Sequence, residues 1–236
     1  MPNIIHIETS TSVCSAALSS DGAVQCHFEN VEGPSHASLL GVYVEQIMDF
    51  SRDKGVKVDA VAVSSGPGSY TGLRIGVSVA KGLCFGFGIP LIGIHTLDIM
   101  AATACSKGDS QIVSTTDDLL YCAMLDARRM EVYAAIYNAS LKPVRETKAD
   151  IVEAGTYASY LEKGKVCFFG NGASKCKPVI TSPNAIFIED IYPLAVNMIP
   201  LSEQAFAAGK AEDTAYFEPF YLKEFQATVA RNKVLG

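Results

Sequence analysis

Positive charge is scarce in this sequence. Lysine and arginine total 19 of 236 residues against 25 aspartates and glutamates, a formal charge of −6. A chain that binds nucleic acid alone normally carries a basic stripe, because each phosphate contact calls for a cation. No such run occurs, so any role on RNA is expected to be indirect. Paired cysteines are missing too. Seven cysteines, at 14, 26, 84, 105, 122, 167 and 176, are scattered, odd in number and never form Cys-x-x-Cys. That pattern reads as reduced thiols rather than a disulfide frame. No apolar run approaches the ~20 residues that a membrane helix needs. The start, MPNIIHIETST, has neither the basic region nor the long apolar stretch of a signal peptide, and a cytoplasmic location is expected. Apolar residues are plentiful. Hydrophobic residues make up 49% and charged residues 19%, which allows a substantial core and speaks against disorder.

Residues 3–8, 13–18 and 23–29 read as strands. The SSDG turn at 19–22 joins the last two into a hairpin. A helix follows over 37–50, with Ser35 as N-cap. Nine of its 14 residues are apolar, so it is expected to bury two faces. AVAVSS (60–65) is a buried-type strand, followed by a glycine turn at 66–68, a helix over 70–87, a strand at 89–94 and a helix at 96–104. Strand–helix–strand with continuously apolar strands predicts parallel pairing.

The second half repeats the plan. Strands are expected at 119–126, 131–137 and 142–148, with a helix over 193–209 after AIFI (185–188). The stretch IETSTSVCSAAL (7–18) matches LDARRMEVYAAI (125–136) at an offset of 118, pairing Glu8 with Asp126. VAVSSGPG (61–68) resembles VCFFGNGA (166–173). Two copies of one supersecondary unit are predicted, divided as 1–104 and 105–236. The polar stretch 101–118 is the expected crossing, and the last residues are expected to form a loose tail.

GPGSYTG is neither a Walker A loop nor a Gly-x-Gly-x-x-Gly fingerprint. Gly66 and Gly68 can still turn the chain sharply, and Ser69 or Thr71 can cap the next helix. Free amides there could meet an anion or only the capping hydroxyl. Within the helix, Gly72, Gly76 and Ala80 recur every four residues. Interior glycine costs about 1 kcal/mol against alanine, so a reason is expected. The strip reads two ways, as a contact with another helix or as packing on the protein's own sheet. Lys81 is expected to be an exposed helix charge and His36 a polar residue at a helix start.

The opening IIHIETSTSVCSAAL, the stretch GPGSYTGLRIGVSVAKGL, LDARRMEVY (125–133) and EPFYLK (218–223) together resemble the TsaB family, formerly YeaZ. Ser69 to Arg74 is the most family-specific stretch. The resemblance implies an α/β actin-like ATPase fold, that of sugar kinases and Hsp70, built from two ribonuclease-H-like halves. It also implies a role in making threonylcarbamoyladenosine beside the anticodon of tRNA. The partners implied are a TsaD-type transferase, of which TsaB is a paralogue, and a TsaE-type ATPase. A homodimer is expected when the chain is alone, with tRNA contacted only indirectly and no membrane association.

The transferase holds a metal with a His-x-x-x-His pair. The resemblance places those positions at Thr96 and Met100, neither a credible ligand, and the four histidines include no pair at metal-binding spacing. No metal and no catalytic residue are expected. Candidate phosphate-proximal residues are Glu8, Thr9, Gly66, Gly68 and Ser69. No cofactor is expected of the chain itself, with ATP or ADP at most at a boundary with the partner. The candidate partner surface is Leu40, Tyr43, Val44 and Ile47 with Gly72, Leu73, Gly76 and Ala80. A different class of function, an independent small-molecule kinase or ATPase of the same fold, is the alternative.

Overall fold

A computed structural model describes residues 2–33, 35–107 and 119–223. Most of the expected crossing (108–118) and the expected loose tail (224–236) therefore lie outside the described residues.

The first sheet joins β1 (Asn3–Glu8), β2 (Cys14–Ser20), β3 (Ala23–Asn30), β4 (Ala60–Gly66) and β5 (Leu91–His95). Their order is β3-β2-β1-β4-β5, with β1, β4 and β5 parallel and β2 and β3 antiparallel. Asp21 and Gly22 both have positive φ, 51° and 74°, the conformation that two-residue hairpin turns favour. Helices α1 (His36–Lys54) and α2 (Tyr70–Phe87) cover the outer face.

The second sheet joins β6 (Leu120–Asp126), β7 (Glu131–Tyr137), β8 (Pro143–Ile151), β9 (Val166–Phe169) and β10 (Ala185–Ile188). Its order, β10-β9-β6-β7-β8, is the first sheet's order again, with the same pattern of parallel and antiparallel neighbours. The repeated plan read from the sequence is thus present as topology. Its register differs by one residue. Ile5 and Ile7 face the outer helices with Ala16 and Leu18, and the outer cluster of the second sheet holds Cys122 and Met124 with Ala134 and Ile136. Matched by face, β1 and β6 are offset by 117 and β2 and β7 by 118. Glu8 therefore corresponds to Leu125, not to Asp126, and a slip of one residue moves a side chain to the opposite face of a sheet.

The two halves exchange helices. Helix α3 (Thr96–Lys107) follows β5 in sequence but buries Leu97, Met100, Ala101 and Ala104 against the second sheet, while Ile99 packs against the first. The expected boundary at 104/105 falls inside this helix. The helix expected over 193–209 is a 3-10 turn at Ala195–Met198 followed by α5 (Ile199–Ala207), with Pro200 in its first turn, where a proline's missing N–H costs nothing. Met198, Leu201, Ala205 and Phe206 lie on the inner face of the first sheet.

Helix α1 buries a single stripe, His36, Leu40, Val44, Ile47 and Ser51. Leu39, Tyr43, Met48 and Phe50 pack half-buried beside it, so most of the broad apolar surface expected to be buried is covered within the chain, while Ala37, Gly41 and Val42 face solvent. Ser35 occupies the N-cap position without a side-chain cap bond; its hydroxyl accepts from Asn30 Nδ2 at 2.9 Å instead. Short helix α4 (Ala158–Leu161) packs Leu161 on the outer face of the second sheet.

Candidate functional site

The parallel strands β1, β4 and β5 deliver Glu8, Gly66 and His95 to one edge of the first sheet. Glu8 is fully buried there. Its Oε1 accepts the Ser10 amide at 2.6 Å, while Oε2 has no partner. Burial raises the carboxyl to about 7, against the lowering influence of hydrogen bonds with Ser10 and Ser64. The group faces the inner side, opposite Ser15, whose hydroxyl accepts the Ala195 amide at 2.9 Å. Thr9 is also buried and donates to Gly72 O at 2.8 Å.

The glycine turn is occupied by the protein's own chain. Ser69 caps α2, its Oγ accepting from Gly72 N at 3.2 Å, and its own amide donates to Ser10 O at 2.6 Å. A Cβ on Gly68 would collide with the Ser10 carbonyl, and one on Gly66, at φ 105°, would lie 2.7 Å from Phe220 O. Close approach explains both glycines. Of the five candidate phosphate-proximal residues, Gly66, Gly68 and Ser69 meet the loop after β1 or the C-terminal segment, Thr9 turns to α2 on the outer face, and Glu8 faces inward.

The glycine strip is resolved in favour of the protein's own sheet. Cβ atoms on Gly72 and Gly76 would strike Thr9 O and Thr9 Oγ1. Leu73, Ala80, Leu40 and Ile47 are at most 1% exposed and Val44 is 8% exposed. Within the chain itself Leu40, Val44, Ile47, Gly72, Leu73, Gly76 and Ala80 of the candidate partner surface are buried, and the half-buried Tyr43 stacks on Phe28 at 5.6 Å. The solvent face of α2 carries a second small-residue strip that periodicity alone did not single out. Ser78, Gly82 and Gly86 are exposed, and a Cβ on either glycine would meet nothing within 4 Å. Phe85 stands beside them, 88% exposed.

Sequence reasoning also missed the path of residues 212–223. Glu212 N donates to Leu91 O, Phe220 N to Ser65 O, and Phe220 meets His95 edge-on at 5.5 Å. Tyr221 packs on Tyr70 at 5.0 Å and accepts from Arg74 Nε at 3.3 Å, while Lys223 pairs with Glu131 of β7. Lys81 is no free helix charge, because its Nζ donates to the carbonyls of Ala215 and Phe217 at 3.0 and 3.1 Å. EPFYLK is thus a strap over the glycine turn. Its run of Phe220, Tyr221 and Leu222 between Pro219 and Lys223 carries no periodic signal that would reveal this.

Thr96 and Met100 are both buried, and a Cβ on Gly170 would collide with Met100 Cε. Asp126 is exposed, accepts the Arg128 amide at 2.9 Å and pairs with Lys175. Arg128 and Arg129 both have positive φ, 72° and 50°, on the exposed turn. His36 is buried, its Nε2 2.7 Å from Thr11 O, so it is a packing residue rather than an open helix start. A buried His6, missed in the sequence, lies between Ser19 (2.9 Å) and Ser202 (3.3 Å) and ties α5 to β1. Burial depresses it to about 3, so it stays neutral.

Two sheets of identical mixed order with helices exchanged between them define the class: an actin-like ATPase fold of two ribonuclease-H-like halves. Within it, the family model for TsaD, tRNA N6-adenosine threonylcarbamoyltransferase, matches residues 31–230. The Escherichia coli K12 tRNA threonylcarbamoyladenosine biosynthesis protein TsaB is 32% identical over 99% of this chain and 98% of its own length. The TsaB protein of Bacillus subtilis is 27% identical over 75% of this chain and 74% of its own. The solved structure of YeaZ from Pseudomonas aeruginosa, 26% identical, superposes with a TM-score of 0.77 over 94% of this chain and all of that one. A further structure, described as an uncharacterized protein with similarity to peptidase YEAZ from the same organism, gives 0.74 at 25% identity. The chain belongs to the TsaB (YeaZ) family.

Proposed function

We infer that this chain is a non-catalytic subunit of the machinery that makes threonylcarbamoyladenosine in tRNA, acting by docking on a TsaD-type transferase. One observation carries the docking surface: the exposed strip Ser78–Gly82–Gly86 beside the bare Phe85, on a helix packed next to α1 with its own exposed Gly41 and Val42. Interior glycines are costly, and these two serve no contact within the chain. A partner helix could approach them closely, while Phe85 and Val42 supply apolar area. A specific interface buries about 800 Å² per partner, and the exposed faces of two helices this long can supply it.

The non-catalytic assignment is supported by what fills the relevant positions. Thr96 and Met100 are core residues, and the glycine turn is packed under Phe220 and Ser10. The serine–histidine contacts of His6 are sealed from solvent, so they cannot serve a peptidase. The same packing weighs against the independent kinase reading. The chain alone is read as holding no cofactor and no metal; ATP or ADP would belong to the boundary with the transferase.

The finer assignments are a cytoplasmic location, a TsaE-type ATPase joining the assembly, tRNA reached only through the partner, and a homodimer on the same helical face when the transferase is absent. The test is Gly82→Leu with Gly86→Leu. The double variant should fold normally, because both positions are open, and should lose co-purification with the TsaD-type protein as well as any homodimer by sedimentation. Unchanged co-purification would remove α2 as the contact. Gly76→Leu is no substitute for this test, since it would clash with Thr9 inside the fold.

A further inference from the structure

The far ends of α1 and α2, remote from the glycine turn, enclose a cleft of about 330 Å³. Both helices stop there on left-handed glycines, Gly55 and Gly88, and the loops that follow leave a gap between them. Met48, Val58, Phe87 and Ile89 form apolar walls. The hydroxyl of Ser51, which also lines the cleft, is committed to Val56 O. The charged lining residues are Arg52 and Lys57, both exposed and both cationic, in a chain whose net charge is −6. Arg52 shares one nitrogen with Asp49 at 2.9 Å, an exposed pair of the kind that contributes little and leaves the rest of the guanidinium fork available. Lys57 enters no ion pair among the described residues.

Apolar walls with a few polar groups at the mouth are the ordinary make-up of a small-molecule site, and the volume lies at the lower end of that class. At about 30 Å³ for each water-sized group, it holds roughly ten non-hydrogen atoms. The walls offer nothing to a sugar or a nucleotide. The mouth offers an arginine fork and a lysine, which suit a carboxylate. We propose that this cleft binds a small amphipathic monocarboxylate, with a chain of about eight to ten carbons against Met48, Phe87 and Ile89 and the carboxylate at Arg52 and Lys57. The site does not depend on the docking role proposed above, since it rests on different side chains, although Phe87 of its wall directly follows Gly86 of the docking strip at the same end of α2.

The test is calorimetric titration of the full chain with octanoate, octylamine and octyl glucoside. Octanoate should bind at one site at least tenfold more tightly than either of the others. Arg52→Gln with Lys57→Gln should weaken octanoate at least tenfold without shifting thermal unfolding, and Ile89→Trp should fill the cleft and abolish binding. If the tryptophan variant fails to fold, the surface pair still decides. Absence of saturable octanoate binding, equal affinity for octylamine, or full affinity in the Gln pair would overturn the proposal. Binding to phosphatidylglycerol vesicles but not to free octanoate would also overturn it, in favour of a membrane surface.

Discussion

Glu8 and Asp126 end the first strand of their respective sheets, and they share almost nothing else. Glu8 faces the helices trapped between the sheets, is fully buried and titrates near 7. Asp126 faces outward, is exposed, and holds Lys175 and the Arg128 amide. The cause is the one-residue difference in register. By face, the partner of Glu8 is Leu125, which lies in the apolar cluster around α3. The comparison teaches that the role of a strand-end acid is set by the side of the pleat on which it falls. Neither its residue type nor its place in a repeat is sufficient.

The sharpest way to break this comparison is Leu125→Glu, which puts an acid where Glu8 has its counterpart. With no cation in that cluster, the loss should be about 3–5 kcal/mol, the range for an uncompensated buried charge. Urea unfolding at pH 7 measures it, and a loss below about 1 kcal/mol would refute the face assignment. Next in size is Glu8→Gln. Because the folded value of Glu8 is raised from 4.5 to about 7, its contribution is intact below pH 4.5 and declines as pH rises to 7. The decline amounts to about 3 kcal/mol at 1.36 kcal/mol per unit. The variant should be more stable than the parent at pH 8.

His6 runs in the opposite sense. Its folded value is lowered from 6.5 to about 3, so its contribution is complete above pH 6.5 and falls as pH drops, by about 2 kcal/mol at pH 5. Between pH 4.5 and 6.5 the two slopes offset each other. Glu8→Gln should therefore unmask a stability that rises with pH up to 6.5, and His6→Gln one that falls between 4.5 and 7. Urea midpoints across pH 4–8 separate the cases, and parallel profiles for the two variants would rule the scheme out. The smallest effect belongs to Asp126→Asn. An exposed pair contributes at most about 1 kcal/mol, and urea unfolding at pH 7 should show a loss no larger than that.

Much of the fold was legible because it rests on local signals. Asp21-Gly22 marks its hairpin, continuous apolar runs mark β4 and β9, and Gly66 and Gly170 mark sharp turns with φ of 105° and 94°. The candidate site was legible only in its residue types. Gly72 and Gly76 announced a close approach, but spacing cannot say whether the neighbour is Thr9 or another protein, and it was Thr9. The face of Glu8 depends on a hairpin one residue shorter than its copy. The strap depends on Lys81, Tyr70 and Arg74 finding carbonyls and rings some 135 to 150 positions away, at separations of 134 to 147 for the hydrogen bonds. Long-range closure of this kind leaves no mark in a window of ten or twenty residues.

The return of α5 and the strap to the first sheet has a consequence for biogenesis. Chains are made from the amino terminus at about 5–20 residues per second, and domains ordinarily fold as they emerge. Here the earliest-made sheet lacks the cover of its inner face until Met198 to Phe206 have left the ribosome, and its edge until Phe220 has followed. The oldest part of the polypeptide is finished by nearly the youngest, so a nascent chain stalled before residue 195 carries a half-clad sheet in need of shelter.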